Sequence, residues 1–265
     1  MLEKLSLDDK VIVVTGGGTG LGREMARHLA RAGADIVVAG RRHGPIEEAA
    51  AEFRDMGRRA LAISTDVTDS KQVNALFEQI LAEFGRVDVL INNAGGGTPG
   101  KPMWEITDQE WRIGIDTNLT SAFYCSRAIM KYMVDRGKGR VINVSSGQGL
   151  RGQRGSFMYG TAKGGIIQLT RVLAATYGSV GITSTCIVPG MFPTREGPTN
   201  DELNPRLAFL PMGRAGAPSD LAPLAVFLAS DASDYMNGEM FYCDGGAMAG
   251  GAATTGYAPL IPLQD

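Results

Sequence analysis

Residues 10–22, K-V-I-V-V-T-G-G-G-T-G-L-G, constrain the fold more than any other stretch of the chain. A β-branched apolar run that short, bounded by glycines, predicts a strand buried on both faces of a parallel sheet. It leads straight into a glycine-rich turn and then a helical pattern, R-E-M-A-R-H-L-A-R-A. Gly16, Gly20 and Gly22 let backbone amides and the positive end of that helix approach a pyrophosphate. Standing between a first strand and a helix, the turn predicts nucleotide binding rather than a tight connection alone.

The same alternation then repeats. Asp35 to Ala39 reads as a second strand, P-I-E-E-A-A-A-E-F-R-D-M as a helix and R-A-L-A-I-S-T as a third strand closed by Asp66 and Val67. D-S-K-Q-V-N-A-L-F-E-Q-I-L-A-E-F reads as a helix with Asp69 or Ser70 near its N-cap, and V-D-V-L-I as a fourth strand. Strands alternating with helices mean a doubly wound parallel α/β sheet. Its ligands bind beyond the carboxyl ends of the strands, where Asp66, Asn92 to Gly95 and Ser146 all fall. With 265 residues and 44% hydrophobic content, one large domain suits the chain better than two small ones.

The second strand ends in Gly40, Arg41 and Arg42. An acid at this point would take ribose hydroxyls, whereas an arginine accommodates a 2′-phosphate. A guanidinium suits a phosphate bidentately, so NADP(H) is favoured, with NAD(H) as the alternative. The opposing reading is a solvated turn carrying two surface arginines.

Acid-base chemistry is placed at Ser146 to Lys163, S-G-Q-G-L-R-G-Q-R-G-S-F-M-Y-G-T-A-K. Tyr159 and Lys163 are four apart on a predicted helix and so share a face. An ammonium at roughly 5 Å, in an effective dielectric near 20, favours the phenolate by about 3 kcal/mol, or roughly two pKa units. Ser146 ends the strand-like run R-V-I-N-V-S-S, where its hydroxyl can hold the oxygen whose proton the tyrosine moves. With only His28 and His43 in the chain, a histidine triad or a metal site is not expected. Cys125, Cys186 and Cys243 are far apart in sequence and read as buried thiols. A net charge of −2 gives no footprint for nucleic acid. The N-terminus lacks a signal-peptide core and no apolar run reaches the ~18 residues of a membrane span, so a cytoplasmic protein is expected.

A long helix is expected over about Asp108 to Val134, with Asn118 as a tolerated polar residue within it. T-G-G-G-T-G-L-G, D-V, N-N-A-G, the helical Asn118, V-S-S, Y-G-T-A-K, P-G-M-F-P-T and a late D-G-G together resemble the classical short-chain dehydrogenase/reductase family over roughly residues 6–246. The resemblance implies a single Rossmann-type domain of about seven strands, residues 1–246, with a C-terminal extension at 247–265. It implies that Tyr159 is the general acid for carbonyl reduction and the general base for alcohol oxidation. Lys163 would lower its pKa and hold the nicotinamide ribose, Ser146 would orient the substrate oxygen, and Asn118 would support a water-linked proton path. The family's spacing to tyrosine selects Ser146 over Ser145. Coenzyme contacts implied in the same way are Gly16, Thr19, Gly20, Leu21 and Gly22 at the phosphates, and Asp66 and Val67 at the adenine. Asn93, Ala94 and Gly95 would lie near the ribose, and Pro189, Gly190, Phe192 and Thr194 around the carboxamide. Thr19 departs from the basic residue that NADP-preferring members often carry there, leaving Arg41 and Arg42 to decide the coenzyme.

The expected activity is hydride transfer between nicotinamide and a ketone or secondary alcohol, of 3-oxoacyl, sugar or polyol type or another small carbonyl. The alternatives are a non-catalytic dinucleotide-binding regulatory protein and an NAD(H)-dependent alcohol dehydrogenase. A sugar-nucleotide epimerase or dehydratase of the extended type lacks its usual glycine spacing here. A homotetramer or dimer is implied, joined through helices near residues 108–134 and 157–178. Candidate substrate contacts are Gly96 to Thr98, Gln148, Leu150, Arg151, Arg154, Met158 and a lid-like loop over 189–205. The small, apolar tail is expected to pack over a neighbouring subunit or near the substrate pocket.

Overall fold

In a computed structural model, which describes residues 2–193, 207 and 210–249, seven parallel strands form one sheet. They are β1 (Val11–Thr15), β2 (Asp35–Gly40), β3 (Ala60–Ser64), β4 (Val89–Asn92), β5 (Gly139–Val144), β6 (Ile182–Pro189) and β7 (Met240–Cys243). Their order is β3-β2-β1-β4-β5-β6-β7. The chain winds outward from β1 in one direction and from β4 in the other, so a crevice opens between these two strands at their carboxyl ends.

Alternation along each strand builds the two layers. Ile12 and Val14 of β1 face helices α1 (Gly20–Arg31), α2 (His43–Asp55) and α7 (Pro218–Ala229), through Met25, Leu29, Phe53, Leu221 and Leu228. Val11 and Val13 face the opposite layer, with Leu76 and Ile80 of α3 (Ser70–Phe84) and Ile129 and Met133 of α5 (Ser121–Arg136). Ile166 and Ile167 of α6 (Phe157–Tyr177) extend that layer over Cys186 and Val188 of β6. Burying both faces of a parallel sheet explains the near-continuous apolar runs that marked its strands.

Local signals fix the element ends. The Asp69 carboxylate accepts the Lys71 and Gln72 amides at 2.8 and 3.4 Å, capping α3 as expected. Gly85 then ends that helix with φ at 70°. Thr107 and Glu110 form a capping box at the start of α4 (Asp108–Ile115).

The helix expected over 108–134 is not continuous. A π turn at Asp116–Thr120 separates α4 from α5, and Asn118 within it, expected to face solvent or a neighbour, is only 2% exposed and so faces neighbours. Side chains bond to backbone carbonyls around the π turn. Asn118 Nδ2 donates to the Gly114 carbonyl at 3.0 Å, and the Ser121 hydroxyl to that of Thr117 at 2.8 Å. Among the described residues no helix is long and apolar enough to cross a membrane.

Candidate active site

The carboxyl ends of β1, β2, β4, β5 and β6 border a cleft of about 830 Å³, within the usual range for small-molecule sites. Its floor is the glycine turn after β1. Gly16 and Gly20 adopt φ of 65° and 54°, a region that disfavours side chains. A Cβ at Gly22 would stand 2.4 Å from both the Gly16 carbonyl oxygen and Asn93 Nδ2. Thr19, the N-cap of α1, makes no side-chain cap, which leaves first-turn amides available to an anion in the cleft. Asn93 holds this turn onto β4. Its amide donates to the Thr15 and Gly16 carbonyls at 2.9 and 3.3 Å, while the Thr15 hydroxyl accepts the Asn93 and Ala94 N–H groups at 3.0 Å. The family resemblance placed Asn93 and Ala94 near a ribose; both line the cleft, and both also fasten the turn.

This cradle fits a dinucleotide pyrophosphate because its backbone approach leaves no room for a side chain. Gly22→Ala is therefore expected to cost about 1–3 kcal/mol by overpacking and to weaken coenzyme binding about tenfold or more. Thermal melts and a coenzyme fluorescence titration read the two effects.

At one end of the cleft β2 stops at Gly40, and the wall continues through Arg41 and Arg42. Both arginines are exposed, and among the described residues no carboxylate pairs with either. Asp66 and Val67 lie on the same wall. The Asp66 carboxylate is engaged by the Thr68 amide and hydroxyl at 3.0 and 2.7 Å, which shapes the turn after β3. Gly18 and Ile46 also line this end, and a Cβ at Gly18 would lie 2.9 Å from the Ile46 side chain. Sequence reasoning did not single out either residue, although the triple glycine was the available signal for Gly18.

Tyr159, Lys163 and Ser146 line the opposite end. Ser146 is the side chain that acts on the Tyr159 phenol, and its Oγ accepts the Gln148 amide at 3.3 Å. The Lys163 ammonium lies 5.6 Å from the centroid of the Tyr159 ring and donates to the Val144 carbonyl at 2.9 Å. The two side chains do share a helix face, but the electrostatic outcome differs from the expected one. Burial pushes the Tyr159 phenol up, and the Ser146 side chain opposes that rise. Burial lowers Lys163 to about 8. Coulomb's law between exposed partners omitted the desolvation of both, which here is the larger effect.

Asn118 is not on the cleft wall; Thr117 is. Asn118 Oδ1 accepts the Gly96 amide at 2.9 Å and would be 2.7 Å from a Cβ at Gly95, so it props the loop after β4 from behind. Ser145 is 3% exposed and donates to the Lys163 carbonyl, a bond that separates its place from that of Ser146.

Pro189, Gly190 and Phe192 close the cleft beside Tyr159, while Thr194 and most of the lid-like loop lie outside the described residues. Gly190 backs onto Asp244, whose Cα would be 2.5 Å from a Cβ there. Among the candidate substrate contacts, Met158 is 2% exposed and packs on Gly114, so it is a core residue. Arg151 donates to the Ala247 carbonyl at 3.4 Å, and Gln148 accepts from the Ser156 hydroxyl. Gly100 and Gly155 bring two loops into near backbone contact. The described start of the C-terminal extension packs on the body, with Ala247 buried and Met248 against Gly147.

The short chain dehydrogenase family model matches residues 10–203. A cis-4-hydroxycyclohexanecarboxylate dehydrogenase of Sinomonas cyclohexanicum is 39% identical over 243 residues, spanning 91% of this chain and 97% of its own. A 3-oxoacyl-(acyl-carrier-protein) reductase of Escherichia coli is 35% identical over 245 residues, 91% of this chain and 98% of its own. Among solved structures, a gluconate 5-dehydrogenase of Burkholderia cenocepacia in complex with NADP and tartrate matches with a TM-score of 0.88 at 32% identity, covering 94% of this chain and 98% of that one. With the parallel seven-stranded sheet and the cleft at its carboxyl edge, these matches establish that the chain belongs to the short-chain dehydrogenase/reductase family and is an NAD(P)-dependent oxidoreductase acting on CH–OH groups.

Proposed function

We propose that the protein is an NADP(H)-dependent oxidoreductase interconverting a secondary alcohol and a ketone. The observation that carries this reading is the joining of the glycine cradle with Ser146, Tyr159 and Lys163 in one cleft. The coenzyme supplies or accepts the hydride. Gly16, Thr19, Gly20, Leu21 and Gly22 would hold its phosphates, Asp66 and Val67 its adenine, and Asn93, Ala94 and Gly95 its ribose. Pro189, Gly190 and Phe192 would flank its reactive end.

The Ser146 hydroxyl orients the substrate oxygen, and the Tyr159 hydroxyl moves a proton to or from that atom. With its phenol pushed up by burial, Tyr159 holds its proton at neutral pH, the form needed to protonate the oxygen during carbonyl reduction. Alcohol oxidation needs the deprotonated form and should quicken as pH rises. Lys163 stands next to Tyr159 to hold a ribose hydroxyl and steady developing negative charge on the phenol, and Asn118 supports the loop through Gly96.

Arg41 and Arg42, with no acid at the end of β2, support a 2′-phosphate; Thr19 is the one residue that favours the NAD(H) reading. The relatives' names support a hydroxy acid, sugar acid or 3-oxoacyl compound as substrate class. Exposed Trp111, Ile113, Phe123 and Val172 on α4, α5 and α6 support a homotetramer or dimer joined through these helices. We assign the chain to the cytoplasm.

A panel of such ketones and alcohols, followed at the nicotinamide absorbance with both coenzymes, tests the reading. Arg41→Ala is expected to weaken NADPH about 10- to 100-fold, the loss of one or two charge-assisted hydrogen bonds. NADH should change by less than about threefold. Equal losses for the two coenzymes would remove the phosphate assignment.

A further inference from the structure

Three consecutive residues at the end of β5 each take hold of α6 within one of its turns. The Val144 carbonyl accepts Lys163 Nζ at 2.9 Å, and the Ser146 hydroxyl acts on the Tyr159 phenol. Between them, Ser145 donates its hydroxyl to the Lys163 backbone carbonyl at 2.8 Å. A carbonyl has two lone pairs, so it can accept this bond without giving up its helical one. Four residues further on, Gly149 lies against the same peptide. A Cβ there would be 2.5 Å from the Lys163 carbonyl carbon, 2.6 Å from its oxygen and 2.8 Å from Gly164 N.

The peptide that follows Lys163 is thus pulled by a buried hydroxyl and pressed by a bare backbone, both from one short loop. Neither group touches the reacting atoms. We propose that Ser145 and Gly149 are positioning residues: their grip on the Lys163–Gly164 peptide sets how deeply α6 lies against β5, and so where the Lys163 ammonium and the Tyr159 hydroxyl stand relative to Ser146. The inference rests on the roles given above to Tyr159 and Lys163. It gives Ser145 a task different from that of its neighbour, and it explains why the loop after Ser146 has no side chain at 149.

Removing the Ser145 hydroxyl leaves the Lys163 carbonyl within its helix but releases it from β5. A methyl at Gly149 must open the contact from 2.5 Å to the ordinary 3.4 Å or more, which moves either the loop or the helix. In both variants the ammonium and the phenol, carried together on α6, shift relative to the Val144 carbonyl and Ser146. The titratable groups that face Lys163 are Tyr159 on its own helix and Cys186 on β6. Burial pushes Cys186 up to about 11, so it stays protonated through the working range, whereas Lys163, lowered to about 8, titrates within it, and the profile belongs to Lys163 and Tyr159 together.

The experiment measures kcat for oxidation of the best secondary alcohol of the panel against pH, with circular dichroism to establish folding. Ser145→Ala and Gly149→Ala are each expected to displace the acid-side limb, which the Lys163–Tyr159 pair sets jointly, by about one pH unit. Coenzyme dissociation constants should change by less than about threefold. Folded alanine variants that keep the wild-type limb would overturn the proposal, including the case in which they lose thermal stability alone. Tyr159→Phe separates the two levels of the argument. If that variant keeps its turnover, the roles given to Tyr159 and Lys163 fail. If it is inactive while Ser145→Ala leaves the limb unmoved, only the positioning role fails.

Discussion

Tyr159→Phe is expected to lower kcat about 10²- to 10⁴-fold in both directions, the usual worth of a positioned general acid or base, while coenzyme binding stays within about threefold. The phenyl ring fills the same space on α6, and Lys163 keeps its bond to the Val144 carbonyl. What disappears is the hydroxyl that shares the cleft wall with Ser146 and, on the proposed mechanism, carries the proton. Steady-state rates with a coenzyme titration on the same preparation read both quantities. Turnover at the wild-type level would remove the tyrosine from the mechanism.

Lys163→Met should separate stability from function. The ammonium is 4% exposed, and burial lowers it from its ordinary 10.5 to about 8. A buried cation of this kind costs about 3 kcal/mol at neutral pH. A thioether of similar length avoids that cost and loses one hydrogen bond worth about 1 kcal/mol. The variant is therefore expected to unfold with about 2 kcal/mol more difficulty at pH 7 while its turnover falls about 100-fold or more. The sign of the pH dependence provides a second check. Between about 8 and 10.5 the unfolded chain binds more protons at this residue than the folded one, so this residue's contribution makes the wild type more stable as pH rises through that window. The variant lacks that rise. Urea melts at pH 7 and 9.5 measure both effects, and a variant less stable than wild type at pH 7 would show that Lys163 supports the fold.

Much of this was legible in the chain because the features are local. The run before Gly16 names its own strand, and the Asp69 cap needs only the two amides that follow it. Tyr159 and Lys163 share a helix face by spacing alone. Other features depend on partners distant in sequence. Asn118 belongs to a π turn and donates to the Gly114 carbonyl, which an apolar period does not reveal. Met158, beside Tyr159, is core because Gly114 leaves room for it. The phenol is raised rather than lowered because burial on α6, which spacing does not report, outweighs the opposing effect of Ser146. Gly18 and Gly149 matter for what lies against them, Ile46 in one case and the peptide of Lys163 in the other.

The π turn at 116–120 also determines how evolution or a designer can edit this region. Each residue of an α-helix turns the chain by about 100°. Deleting one residue to restore an even helix would rotate α5 against α4 by that angle, swinging Ile129 and Met133 away from the sheet or Gly114 away from Met158. Point changes can be absorbed there, but the length of the segment is as fixed as the register of a strand.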